Sequence, residues 1–102
     1  MSAREASYFV ESEGGVTFDG MSEDLLFDMI SDLHFPNDSF ITVQSRDPDN
    51  DWYVVIALME EGGLEVEYRH PGGREHRVVQ EGEPSRVAAD VTIWVSSRVR
   101  RN

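Results

Sequence analysis

The sequence predicts an α+β domain, an antiparallel meander of three to five strands with one helix before it (about 22–34) and one after it (about 85–98), both on one face. Three observations carry this. Trp52-Tyr53-Val54-Val55-Ile56-Ala57-Leu58-Met59 is apolar without a break, rich in β-branched and aromatic residues, and closed by Glu60-Glu61-Gly62-Gly63. It reads as a central strand covered on both faces. Beyond the Gly-Gly the chain alternates, with Leu64, Val66 and Tyr68 on one side and Glu65, Glu67 and Arg69 on the other, the pattern of a strand with one wet face. Before both, Leu25, Leu26, Met29, Ile30 and Leu33 fall on one apolar helical stripe.

In chain order, residues 1–7 read as a frayed end. Tyr8–Glu11 and Val16–Asp19, joined through Gly14-Gly15, have hairpin character. Ser22 is a good N-cap, Glu23 and Asp24 put negative charge in the first turn, and Met21 with Leu26 forms a hydrophobic staple. Pro36 is expected to stop this helix. Ser39–Ser45 reads as a strand, 46–51 as a loop, and Glu75–Val79 as a further strand after the turn at His70-Pro71-Gly72-Gly73. Val87, Ala88, Val91, Trp94 and Val95 keep helical spacing behind a possible Ser85 cap, whereas Val91-Thr92-Ile93-Trp94-Val95 favours a strand on propensity alone. The helix is preferred.

A chain of 102 residues holds one core, so residues 1–102 are read as a single domain. It has no Cys, which removes disulfides, thiolate metal sites and a cysteine nucleophile. No apolar run approaches the roughly 18 residues of a membrane span, and no export signal opens the chain. A cytoplasmic location is expected. The net charge is −11, and all nine basic residues are Arg. From Glu5 to Glu67 the net is −15, and from Tyr68 to Asn102 it is +3. Such a field repels nucleic acid and anionic membranes and steers basic partners in, although acidic surfaces also serve solubility alone.

Site chemistry points to binding and away from catalysis. Asp47, Asp49 and Asp51 open like a calcium loop, but Trp52 and Leu58 stand where it needs Gly and Glu, so no metal or other cofactor is expected. His70, His76 and Glu75 supply too few fixed ligands for zinc, and His34 suits the C-terminus of the first helix. No nucleophile elbow, phosphate loop or His-Glu-x-x-His motif is present, and no enzyme is expected. The partner-binding candidates are Asp24, Asp28 and Asp32 on one face of the first helix, Asp47, Asp49 and Asp51, Glu60 and Glu61 at a hairpin tip, and Glu65 and Glu67. Trp52 and Tyr53 are candidate aromatic anchors among them. Each has a plainer reading: solvated charge for the acids, and core membership for Trp52. Phe27 lies off its helix's apolar stripe, either exposed or covered by the first hairpin. Acidic side chains along the exposed hairpin edge argue for a monomer.

Val66-Glu67-Tyr68-Arg69-His70-Pro71-Gly72-Gly73, then Glu75-His76-Arg77, then Val87 to Trp94 resembles a pattern in small acidic actinobacterial immunity proteins of polymorphic toxin systems, in the group associated with nucleic-acid deaminase toxins. The resemblance covers about residues 52–95. It implies an α+β protein that binds the toxin domain made by the same cell and blocks its active site, with no catalytic residue of its own. The expected function is therefore inhibition of a basic, nucleic-acid-targeting partner, without direct nucleic-acid or membrane binding. Alternatives are a phage or mobile-element nucleic-acid mimic acting on a host nuclease, and a small-ligand or zinc-binding domain.

Overall fold

Gly15 takes φ of 92°, where a side chain would be strained, and lets Ser12 N–H reach Val16 O at 2.9 Å. Strands β1 (Tyr8–Ser12) and β2 (Thr17–Asp19) therefore pair as the expected hairpin. The computed structural model describes residues 7–99, so the fraying expected over 1–7 lies outside the described residues except at Ser7. The Ser7 carbonyl accepts from Arg46 N–H.

Helix α1 (Glu23–Ser31) begins where the sequence places it, with Ser22 Oγ accepting from Leu25 N–H at 3.1 Å. It ends at Ser31, short of residue 34 and before Pro36. There Leu33 N–H bonds back to Ile30 O in a tightened turn, and His34 and Asp38 exchange backbone hydrogen bonds around a cis Phe35–Pro36 peptide. The remaining elements are β3 (Phe40–Ser45), β4 (Tyr53–Leu58), β5 (Leu64–His70), a 3-10 turn (Pro71–Gly73), β6 (Glu75–Glu81) and α2 (Pro84–Arg98).

All strands among the described residues join one antiparallel six-stranded sheet in the order β2-β1-β3-β4-β5-β6. The sheet exceeds the expected three to five strands because the first hairpin pairs with β3, while α1 carries the chain over from the β2 edge. From β3 to β6 the meander is as expected.

Both helices lie on one face. Val10, Ile41, Val43, Val54, Ile56, Leu64, Val66 and Tyr68 of the sheet are buried with Leu26 and Ile30 of α1 and with Val87, Ala88, Val91, Trp94 and Val95 of α2, forming one core. This burial explains why the β-branched run 91–95 is helical. Its intrinsic penalty is a few tenths of a kcal/mol per residue, whereas burying one such side chain gains about 1.5–3 kcal/mol. Pro84 stands at N1 and Glu83 at the N-cap, displacing the cap expected at Ser85, because proline has no N–H to satisfy there.

β4 is central, but it is covered on one face only: Val54 and Ile56 are buried, whereas Tyr53, Val55 and Ala57 on the opposite face are half-buried. With both helices on the same side, no described element crosses that second face.

At the third Gly-Gly turn the left-handed backbone falls on Arg74 (φ 57°, ψ 35°) and not on a glycine. Arg74→Gly is expected to raise stability by up to about 1 kcal/mol by relieving that conformation, read as a higher urea midpoint. A lowered midpoint would mean that the arginine side chain outweighs the backbone term.

Candidate partner-binding face

Side chains alternate along strands, so strand register determines which residues share the uncovered face. Across its middle run Thr17, Glu11, Thr42, Val55, Glu67 and Val78. Towards the β4–β5 turn run Phe40, Ala57, Glu65 and Gln80, and towards the β3–β4 loop run Asp19, Phe9, Gln44, Tyr53, Arg69 and His76. Strand spacing sets Glu11 roughly 14 Å from Glu67, with Thr42 and Val55 between them. Glu13 follows Glu11 towards the β4–β5 turn end, where its N–H donates to Phe40 O. Its carboxylate accepts from Ser39 N–H and Ser39 Oγ–H at 2.8 Å, and these bonds lower its pKa below the ordinary 4.5.

The face thus carries an apolar strip, Phe40, Val55 and Ala57, between Glu11 and Glu13 on one side and Glu65 and Glu67 on the other. Glu60 and Glu61 sit in the turn at the Glu65 end, where Gly62 and Gly63 both have positive φ. Arg and His side chains gather at the opposite end. Arg46 stacks over the Phe9 ring at 4.8 Å and bonds Asp19, and His76 Nε2 lies 2.7 Å from Glu67 Oε2.

Of the acidic candidates, Glu60, Glu61, Glu65 and Glu67 come together, with Tyr53 on the same face. Asp47, Asp49 and Asp51 lie in the β3–β4 loop, separated from Glu60 and Glu61 by the length of β4, roughly 20 Å. Asp24 and Asp28 of α1 and Asp32 at its C-cap are exposed, on the helix side of the sheet. The twelve candidates therefore form no single rim. Trp52 is no surface anchor: it is 2 % exposed, with its ring 5.8 Å from those of Tyr8 and Trp94. Phe27 is 39 % exposed, uncovered by the first hairpin. Glu11, Glu13 and Phe9 join the face only through the β1–β3 pairing, a long-range contact that no local pattern announces, whereas Phe40 reaches it through its pairing with Ala57 of β4.

The histidines separate. Register sets His76 opposite Arg69 on the open face and His70 opposite Glu75 on the helix side, so their rings diverge. His34 Nδ1 lies 2.9 Å from Asp32 O at the end of α1, as its position suggested.

The loop end of the sheet is fastened to α2. Glu75 accepts from Arg98 and from Trp94 Nε1–H, Arg98 stacks over Trp94 at 4.5 Å, and Asn50 Nδ2 donates to Arg98 O at 2.7 Å. The Arg98 and Trp94 hydrogen bonds hold the Glu75 carboxyl below the ordinary 4.5. A depressed folded-state value means this contribution is complete above about pH 4.5 and is lost as pH falls through that lower value. Glu75→Gln is expected to lower stability at neutral pH and to flatten the acid limb of a denaturation series below pH 4.5. An acid limb as steep as the parent's would assign that dependence elsewhere.

No helix among the described residues is long and apolar enough to cross a membrane. No protein-family model, no curated protein and no solved structure matches this chain.

Proposed function

We propose that this chain is a non-catalytic acidic protein that binds and inhibits a basic partner, as an immunity protein neutralising a cognate toxin that acts on nucleic acid. The observation that carries the reading is the uncovered sheet face, where Phe40, Val55 and Ala57 lie between glutamates of β1 and β5. Apolar contact in the middle with charge around it is the anatomy of a specific interface. Its width, roughly 14 Å between flanking carboxylates, accommodates one α-helix of about 10–12 Å diameter bearing Arg or Lys on its sides. A nucleic-acid-processing domain presents such basic surface, and a net charge of −11 accelerates the encounter.

The experiment is a titration of the purified chain against the product of the adjacent gene at low and high salt, with the partner's activity on nucleic acid measured alongside. A complex that weakens with salt and abolishes the partner's activity is expected. Absence of a salt-sensitive complex sinks the toxin reading, and binding without loss of activity sinks inhibition.

A further inference from the structure

We propose that β6 pairs with β6 of a second copy of this chain, with Val79 opposite Val79, joining two sheets into one of twelve strands. Among the described residues β6 is the last strand of the sheet, and it is exposed through His76–Gln80. Its free hydrogen-bonding groups follow from the ladder. Leu58 N–H donates to Ser39 O on the β3 side, so alternate residues of β4 turn towards β5. Carried across the register, Glu65, Glu67 and Arg69 bond β4, while Leu64, Val66, Tyr68 and His70 bond β6. The inner bonds of β6 then belong to Glu75, Arg77, Val79 and Glu81, and the N–H and C=O groups of His76, Val78 and Gln80 point away from the sheet. An outward row of that kind is a template for another strand.

Charge selects the occupant and its register. In a two-fold antiparallel pair centred on Val79, Arg77 faces Glu81 of the other copy, Glu81 faces Arg77, and Val78 faces Gln80. Val78 and Gln80 then form the hydrogen-bonded pairs, and the Arg77–Glu81 and Val79–Val79 pairs take the closer non-hydrogen-bonded sites, where side chains interact most. Centring on Arg77 opposes two guanidinium groups, and centring on Val78 sets Glu75 against Glu81. Centring on Gln80 keeps an ion pair, Arg77 with Glu83, but sets Val79 against Glu81, so only the Val79 register combines both ion pairs with an apolar pair. Val79 also lines a groove of about 400 Å³ between β6 and α2, with Val66, Val87 and Ile93, the last 68 % exposed. The pairing sets the apolar lips of two such grooves beside each other.

The lopsided charge supports the same edge. Most of its acidic half lies in β1 to β4, α1 and their connections, with Glu65 and Glu67 of β5 its members nearest β6, whereas the described residues from Tyr68 onward are close to neutral. Joining at β6 therefore keeps the carboxylates of β1 to β4 and α1 of the two copies on the outer parts of the joined sheet, with Glu65 and Glu67 the nearest to the seam. The expectation of a monomer rests on acidic side chains along an exposed hairpin edge, but the edge strand β6 carries His76, Arg77, Val78, Val79 and Gln80 between its two terminal glutamates.

Sedimentation from micromolar to near-millimolar concentration should show wild-type chain passing from 11.6 kDa to twice that mass. Over the same range the amide exchange of Val78 and Gln80 should slow. Arg77→Glu and Glu81→Arg, each checked for its fold by circular dichroism, should be monomers alone. Mixed in equal amounts they should regain the doubled mass, since the glutamates of the first variant then meet the arginines of the second at both ends of the pairing. A wild-type monomer throughout overturns the proposal and leaves the edge to a different chain. Single variants that remain dimeric, or folded variants that fail to pair on mixing, overturn the register and its charge pairs.

Discussion

Trp52→Ala is expected to remove about 3–5 kcal/mol of stability, the range for deleting a large buried aromatic side chain. Domains of this size hold about 5–15 kcal/mol in total, so the variant would be marginal at physiological temperature. The physical reason is position. Trp52 is the last residue before β4, with its ring between Tyr8 of β1 and Trp94 of α2, and it bridges the first strand, the central strand and the C-terminal helix. Truncation leaves a cavity that β-strands on one side cannot collapse to fill. The indole Nε1 has no hydrogen-bond partner among the described residues. Trp52→Phe therefore loses volume but no hydrogen bond, and should retain most of the stability that alanine loses. Urea denaturation of the three chains decides it. An alanine midpoint equal to the parent's would show that Trp52 does not join these elements.

Reversing both β5 glutamates, Glu65→Lys with Glu67→Lys, is expected to slow association with a basic partner by on the order of 10–100-fold at low salt and to flatten its salt dependence. Both side chains lie outside the core on the open face, and Glu67 loses only its contact with His76. The expected change in stability is therefore within about 0.5 kcal/mol. Opposite outcomes at Trp52 and at the glutamate pair separate folding from binding. Asp24→Lys with Asp28→Lys on α1 serves as the comparison, since it makes an equal charge change on the opposite side of the sheet. Equal slowing by both substitutions would make net charge the cause, and no slowing by the β5 pair would remove the open face from the interface.

Local chemistry made most elements legible. Ser22 capped α1 as its side chain demands, Gly15, Gly62 and Gly63 supplied the positive φ of two hairpin turns, and Leu64, Val66 and Tyr68 entered the core as their alternation indicated. Errors arose where a local signal had two physical readings. The unbroken apolar run of β4 suggested two covered faces, yet Tyr53, Val55 and Ala57 are what an open, half-apolar face requires. Trp52 carried the composition of an interface anchor, and the fold used its area to join Tyr8 to Trp94. At the third turn the expectation of a flexible glycine was displaced by one residue, onto Arg74.

The sequence by itself determined the α+β class, the position of both helices, the β3-to-β6 meander and the division of charge between the two halves of the chain. These depend on side-chain period, turn residues and composition, which act over a few neighbours. Only the tertiary structure decided that the first hairpin joins β3, that one sheet face stays open, and that Glu11 and Glu13 oppose Glu65 and Glu67 while the α1 aspartates stand apart. Those outcomes come from strand pairing between residues distant in the chain, where register follows from the packing of the whole core.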